Sequence, residues 1–260
     1  MSRAYQRIKV ERGGGVETIT LHYPERRNAI GSVMVNELLY AIDDARAADD
    51  VAAIVITGHG KAFCAGGDFA QMSGGGDDGA LLHKGDYADL LLTMVNCDKP
   101  IIAKVNGAAM GGGLGLVAAS TFAVASTEAT LGTPEINVGL FPMMIMAVLQ
   151  RIIPRRRLVE MMLFGEKMSA EEAHRIGLVN RVATPGELDD AVVAIVGKIV
   201  DKSPVALAMG LRALAAQDDL DLEAALPLLR GKLGEILSTD DAREGLMAFL
   251  EKRKPVWKGK

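Results

Sequence analysis

The sequence predicts an α/β protein: strands alternating with helices, followed by a helical C-terminal region. Three observations carry that prediction. Short apolar runs bounded by turn or charged residues recur at 53–57, 101–105 and 122–125. Stretches of helical periodicity separate them, and the last 65 residues or so hold helical pattern and little else. In chain order, residues 5–11 and 16–22 alternate apolar and polar positions around Gly13, Gly14 and Gly15, which reads as a hairpin. Ser32 is placed as the N-cap of a helix whose Val33, Leu38, Ala41, Ile42 and Ala45 share one face. The run 53–57 suits a buried strand, and the glycine-rich stretch 58–79 after it is long enough for a working loop. A helix over 84–96 then leads through Lys99 and Pro100 to the strand 101–105. Residues 111–119 read as a turn opening into a short apolar helix, followed by short strands at 122–125 and 130–131. From Met143 onward the pattern is helical, interrupted by a β-like 178–182.

Composition narrows the function classes. The chain has 260 residues, 49% of them apolar, enough for a sizeable core in one large domain or two small ones. Its net charge is −4 and its one concentrated basic block is Arg155, Arg156 and Arg157, so no nucleic-acid partner is expected. Cys64 and Cys97 have neither metal-ligand nor disulfide-framework spacing, which points to a reducing compartment. No His/Cys/Asp/Glu cluster has ligand spacing, so no metal is implied. The N-terminus lacks the apolar segment of a signal peptide, and the longest apolar run, 141–149, is far short of the roughly 20 residues that span a bilayer. A cytoplasmic protein without membrane association is the expectation.

The stretch GLGLVA at 113–118 fits the dinucleotide-binding pattern G-x-G-x-x-G/A, and Glu135 lies 20 residues beyond Gly115. Context argues against that reading. Such a fingerprint belongs on the first strand–turn–helix of its unit, whereas these glycines follow two or three strands, and Glu135 sits after a proline at a turn. Three consecutive glycines nevertheless cost about 1 kcal/mol each at helical positions. Exposing backbone N–H groups to a ligand is a reason to keep them.

Five stretches together resemble the crotonase family, also called enoyl-CoA hydratase/isomerase. They are RRNAI at 26–30, KAFCAGGDF at 61–69, KPIIAKVNGAAMGGG at 99–113, LGTPEINVGL at 131–140 and EEAHRIGLVNRV at 171–182, in the family's order and spacing. The resemblance implies a spiral of ββα units forming two sheets, with an acyl-CoA-binding core over 1–195 and a helical oligomerisation region over 196–260. It implies an acyl-CoA thioester as substrate, with coenzyme A part of that substrate and no separate cofactor. It implies trimers or hexamers as well, which fits the broad apolar faces of 204–216 and 242–250. Matched residue by residue, two backbone N–H groups that would hold a thioester enolate fall on Gly67 and Gly112. Arg26, Ala29, Ala65, Asp68, Phe69 and Ala70 fall on segments that line the CoA. Many relatives carry a lysine where this chain has Ala70.

The chain departs from the pattern at one decisive place. Hydratases of the family use two glutamates, one after the glycine run and one in the P-E motif. Here the first position is Gly115 and only Glu135 remains. A glycine can neither give nor take a proton, so the two-carboxylate hydration is in doubt, whereas one base above an enolate suffices to move a double bond. Gly115 would leave room for substrate or water. Locally, Thr133, Pro134 and Glu135 also resemble a helix start, with the acid near the dipole. Hydration survives if Asp77, Asp78, Asp86 or His83 supplies a second acid. A CoA-binding protein without catalysis is the third reading. Met143, Met144 and Met146 would pack a helix start in the core or, less favoured, form an adaptable apolar wall for the acyl group.

Overall fold

The structure, a computed structural model, describes residues 3–68 and 79–259. Strands β1 (Ile8–Gly13) and β2 (Val16–Leu21) form the expected antiparallel hairpin. In β2 the alternation is regular, with Glu17, Ile19 and Leu21 turned inward. Strands β3 (Ala53–Gly58), β5 (Ile101–Val105), β7 (Phe122–Ser126) and β10 (Arg181–Ala183) run parallel to β2. With the hairpin they make a six-stranded sheet in the order β1-β2-β3-β5-β7-β10. All six residues of β3 are buried, as a strand covered on both faces demands.

A second sheet joins β4 (Ala62–Cys64), β6 (Ala108–Met110), β8 (Thr130–Gly132) and β9 (Lys167–Ser169), in that order. Its first three strands are parallel and β9 is antiparallel to β8. From β3 to β8 the described strands alternate between the large sheet and the small sheet. With α2 at Tyr87–Val95 and α3 at Gly112–Ala119, the units β3-β4-α2 and β5-β6-α3 are the ββα repetition expected from the family resemblance.

Helix α1 (Ser32–Ala47) starts one residue earlier than expected, with Gly31 as N-cap and Ser32 as the first helical residue. Its buried Glu37 accepts the backbone N–H groups of Gln6, Arg7 and Ile8, which pins the chain entering β1. The helix expected over 84–96 is the shorter α2, begun by a capping box between Asp86 and Asp89. Residues 178–182 are only partly strand: Leu178 and Val179 are buried core residues of a loop, and β10 starts at Arg181. Helix α3 is buried except at Gly112 and packs against helix α4 (Met143–Leu149). Phe63, Ile19, Leu21, Ile54, Ile56, Ile101 and Leu114 are the fully buried centre of the core.

Helices α5 (Arg155–Phe164) and α6 (Ala170–Arg175) precede α7 (Leu188–Val200). Through Leu188, Val192, Ile195 and Ile199, α7 covers the face of the large sheet formed by Ala53, Val55, Ile102 and Val124. Helices α8 (Pro204–Gln217), α9 (Leu222–Leu237) and α10 (Asp240–Leu250) complete the helical C-terminal region, and each buries few residues of its own. Among the described residues no helix is long and apolar enough to cross a membrane.

Candidate active site

The small sheet brings the three candidate catalytic residues together. In register, Cys64 of β4 lies beside Ala109 of β6, and Ala109 lies beside Leu131 of β8. Gly67, Gly112 and Glu135 each follow within three or four residues, so all three leave the carboxyl ends of adjacent parallel strands. That is where open parallel sheets place their ligands.

The Gly67 loop is held by its neighbours. A parallel bridge joins it to Ile30: the Ile30 N–H donates to the Gly66 carbonyl (2.8 Å) and the Asp68 N–H to the Ile30 carbonyl (2.9 Å). Those two bonds take up one edge of the segment and leave the Gly67 N–H on the other. Asn28, two residues before Ile30 and fully buried, bolts the adjoining loops together. Its amide donates to the carbonyls of His59 (2.9 Å), Ala62 (2.9 Å) and Phe63 (3.3 Å), and its Oδ1 accepts the Tyr23 N–H (2.9 Å). To reach them the backbone takes two successive left-handed residues, Arg27 and Asn28.

Gly112 is the first residue of α3, so its N–H has no acceptor within the helix. The helix dipole adds positive potential at that point. Glycine is required on both sides of it. Gly111 has φ of +48°, and a Cβ there would stand 2.8 Å from Glu135 Oε1. A Cβ at Gly113 would stand 2.4 Å from the Cys64 carbonyl oxygen. The run of glycines thus lets α3 seat on β4 and lets the Glu135 carboxylate approach its N-terminus. Cys64 itself is packing: burial pushes its thiol up to about 12, and its sulfur faces the Gly66 carbonyl.

Glu135 sits in the 3-10 helix Pro134–Val138, so the helix-start pattern and the site position coincide. Thr133 does not cap that turn; its hydroxyl donates to the Met161 carbonyl (3.0 Å). Glu135 is half-buried, and its Oε2 is enclosed without a hydrogen-bond partner among the described residues. Burial raises its pKa above the ordinary carboxylate value, opposed weakly by its own backbone N–H. A carboxylate enclosed in this way, raised in pKa and beside a helix start, has the properties of a general base.

The expected CoA segments have varied fates. Arg26 is exposed, Ala29 and Ala65 are partly exposed, and the Ala65 N–H donates to the Arg27 carbonyl (3.1 Å). Asp68 is buried. Phe69, Ala70, Asp77 and Asp78 lie outside the described residues. Of the other candidate second acids, His83 is exposed and Asp86 is engaged as the N-cap of α2, accepting from the N–H groups of Ala88 (2.8 Å) and Asp89 (3.1 Å).

Gly115 does not open onto empty space. A Cβ there would stand 2.2 Å from the Tyr87 hydroxyl and 2.5 Å from Ile145 Cγ2. The Tyr87 O–H donates to the Gly112 carbonyl at 2.5 Å. Neither Tyr87 nor Ile145 carries any local signal in the sequence. Tyr87 lies 28 residues before Gly115 and is brought there only by the packing of α2 on α3. The methionines are also differently placed: Met143 and Met144 are exposed, Met146 is half-buried, and Ile145 is the residue that enters the core. The core reading of Met143 and Met144 is therefore corrected, because one turn of α4 can direct only one face inward. Met144 instead lines a cleft of about 440 Å³ with Ala88, Leu91, Leu92, Val95 and Ala147. Neither this cleft nor a larger one of about 950 Å³ between β1 and the end of α1 is lined by Gly67, Gly112, Gly115 or Glu135.

A family model described as enoyl-CoA hydratase/isomerase matches residues 11–260. The chain belongs to the enoyl-CoA hydratase/isomerase family. The short-chain-enoyl-CoA hydratase of Clostridium acetobutylicum is 32% identical over 254 residues, covering 95% of each chain. The crystal structure of an enoyl-CoA hydratase from Mycobacterium smegmatis superposes with a TM-score of 0.89 at 34% identity, over 97% of this chain and 99% of that one. Human enoyl-CoA hydratase domain-containing protein 3 superposes with a TM-score of 0.89 at 31% identity, over 97% and 100%. The fold is thus that of the crotonase superfamily, and acyl-CoA enzymes of the hydratase/isomerase family are its relatives over nearly the whole length.

Proposed function

We propose that the chain isomerises an enoyl-CoA, with Glu135 as the single acid/base and the N–H groups of Gly67 and Gly112 as the oxyanion hole. One observation carries this reading. Glu135 is the carboxylate at the start of α3, with one oxygen enclosed and unpaired among the described residues, while Tyr87 and Ile145 fill the space beside Gly115. In this scheme the Glu135 carboxylate takes a proton from C2 of a 3-enoyl thioester. The C–H electron pair moves toward the thioester carbonyl, and the enolate oxygen is held by the two amides. Re-formation of the carbonyl moves the double bond to C2=C3 as Glu135 returns the proton to C4. Each oxyanion donor is worth about 10²–10³ in rate. Exposed Arg26 and the partly exposed Ala29 and Ala65 line the side from which the nucleotide would approach. The cleft beside Ala88 and Met144, which Arg151, Asp218 and Asp219 also line, would take an acyl chain along its apolar α2 and α4 side.

Hydration is the second reading, and the activity named for the Clostridium relative favours it. Of its candidate second acids among the described residues, Asp86 is engaged as a cap and His83 is exposed. Incubating the protein with a 3-enoyl-CoA, following conjugation by ultraviolet absorbance and weighing the product separates the two. An unchanged mass with a new conjugated thioester is expected. The gain of one water would establish hydration. A trimer or hexamer built through the C-terminal helices belongs to the same proposal.

A further inference from the structure

We propose that Tyr87 is a positioning residue of the oxyanion hole: its phenol fills the space that a side chain at position 115 would need and ties down Gly112 from the carbonyl side. The inference rests on the reading of Gly112 as an oxyanion donor and goes beyond it in naming what holds that residue still. Three observations meet here. The Tyr87 O–H donates to the Gly112 carbonyl at 2.5 Å, across 25 residues of chain. The same oxygen stands 2.2 Å from the ideal Cβ position of Gly115, one helical turn further along α3. The ring also borders Gly112 itself, its Cζ and Oη lying 3.6 Å from the Cβ position there.

A glycine-rich helix start is the kind of segment that most needs an external tether. Gly111, Gly112 and Gly113 have no side chains to fix them, and glycine carries the largest conformational entropy of any residue. A donor that must stay fixed while charge develops gains from being held before the reaction begins. Tyr87 is itself well anchored. It is the first residue of α2, directly after the Asp86 N-cap, and α2 packs on both α1 and α3. Burial, together with the neighbouring Cys64 and Glu135, holds the phenol well above its usual pKa. The hydroxyl therefore keeps its proton and remains a donor to Gly112. A base at this place would compete with Glu135, and a neutral donor does not.

The test uses Y87F, which keeps the ring and removes only the hydroxyl. Two assays run in parallel: turnover of a 3-enoyl-CoA, and binding of acetoacetyl-CoA followed through the ultraviolet absorbance of its bound enolate. The expected outcome is an enolate affinity and a kcat each lowered about tenfold, with KM within about twofold, as befits loss of one hydrogen bond that matters most in the charged state. Wild-type values in Y87F for either assay would overturn the proposal, since Tyr87 would then be packing only. Should Y87F fold poorly, G115A is a second route. Its methyl group must displace the phenol from Gly112 and is expected to weaken enolate binding with Tyr87 still present. Combined, the two changes are expected to be less than additive, and full additivity would overturn the idea. A wild-type protein that binds the enolate but does not isomerise would sink the isomerase reading alone, and the Y87F comparison would still decide for Tyr87. A wild-type protein that binds no enolate would overturn both.

Discussion

Glu135 and Asn28 set the limits of what single residues do in this molecule. Under the proposed scheme, Glu135→Gln keeps the shape and removes the base, so isomerisation is expected to fall at least about 10²-fold while CoA-thioester binding persists. Persistence of turnover would refute the assignment. The pH dependence follows from the raised pKa of Glu135. The base works as carboxylate, so kcat/KM should fall as pH drops through that raised value, giving an acid limb above the ordinary carboxylate pKa of about 4.3. Stability runs the other way. A group whose folded pKa is raised contributes stability below its unfolded pKa, and that contribution is lost as pH rises through the folded value. At neutral pH the Glu135→Gln variant is therefore expected to unfold at a temperature equal to or above that of the wild type, measurable by calorimetry. Asn28 has the opposite profile. Its side chain donates to up to three carbonyls, those of His59 and of Ala62 and Phe63 in β4, and accepts the Tyr23 N–H. Asn28→Ala should cost roughly 2–4 kcal/mol in denaturant unfolding, by leaving several buried partners unpaired, and should lower activity through the displaced Gly67 loop.

The elements show which parts of this architecture sequence patterns record. Strands buried on both faces, such as β3 and β5, are legible as apolar runs, and the β1–β2 hairpin as an alternation around glycines. The order of the strands in two sheets is not, because register between β4, β6 and β8 depends on contacts far apart in the chain. That order comes only with the resemblance to a family. The same division holds for the site. Gly67, Gly112 and Glu135 can be matched because each lies in a local motif. Tyr87 and Ile145 cannot, because they meet Gly115 only after α2 and α4 have packed on α3. Asp86, a candidate acid by its position in the sequence, is a cap; the capping box Asp86–Asp89 is local, and its role is readable from the spacing. Removing that cap gives an element-level prediction. Asp86→Ala should destabilise α2 by about 1 kcal/mol and, because Tyr87 begins that helix, should lower kcat more than it raises KM. Steady-state kinetics beside a denaturation curve would check both.

At the scale of the molecule, the C-terminal helices bury few residues of their own. Leu226, Leu233 and Leu237 of α9 and Leu246, Phe249 and Leu250 of α10 are exposed, Phe249 by 80%. Large apolar side chains left exposed in this number on two successive helices fit the proposed assembly. Sedimentation at low micromolar concentration is expected to give a trimer or hexamer, and Phe249→Glu to shift the protein toward smaller species. A wild-type monomer would refute the assembly. The tail beyond α10 is itself fastened. Asp241, buried at the start of α10, accepts the Ser203 hydroxyl (2.7 Å) and the N–H groups of Lys258 and Gly259, and Trp257 donates to the Asp201 carbonyl.

The three neighbouring strands of the small sheet amount to a ruler. Hydrogen bonding sets them roughly 4.8 Å apart, and that pitch does not depend on which side chains surround them. The two proposed donors and the proposed base, mounted on consecutive divisions, keep their mutual spacing however the flanking helices are rebuilt. Under the proposed scheme, a different acyl group would be accommodated by exchanging side chains of α2, α4 and the end of α8 around Ala88, Met144 and Ala215, while the graduated edge proposed to hold the thioester is left untouched.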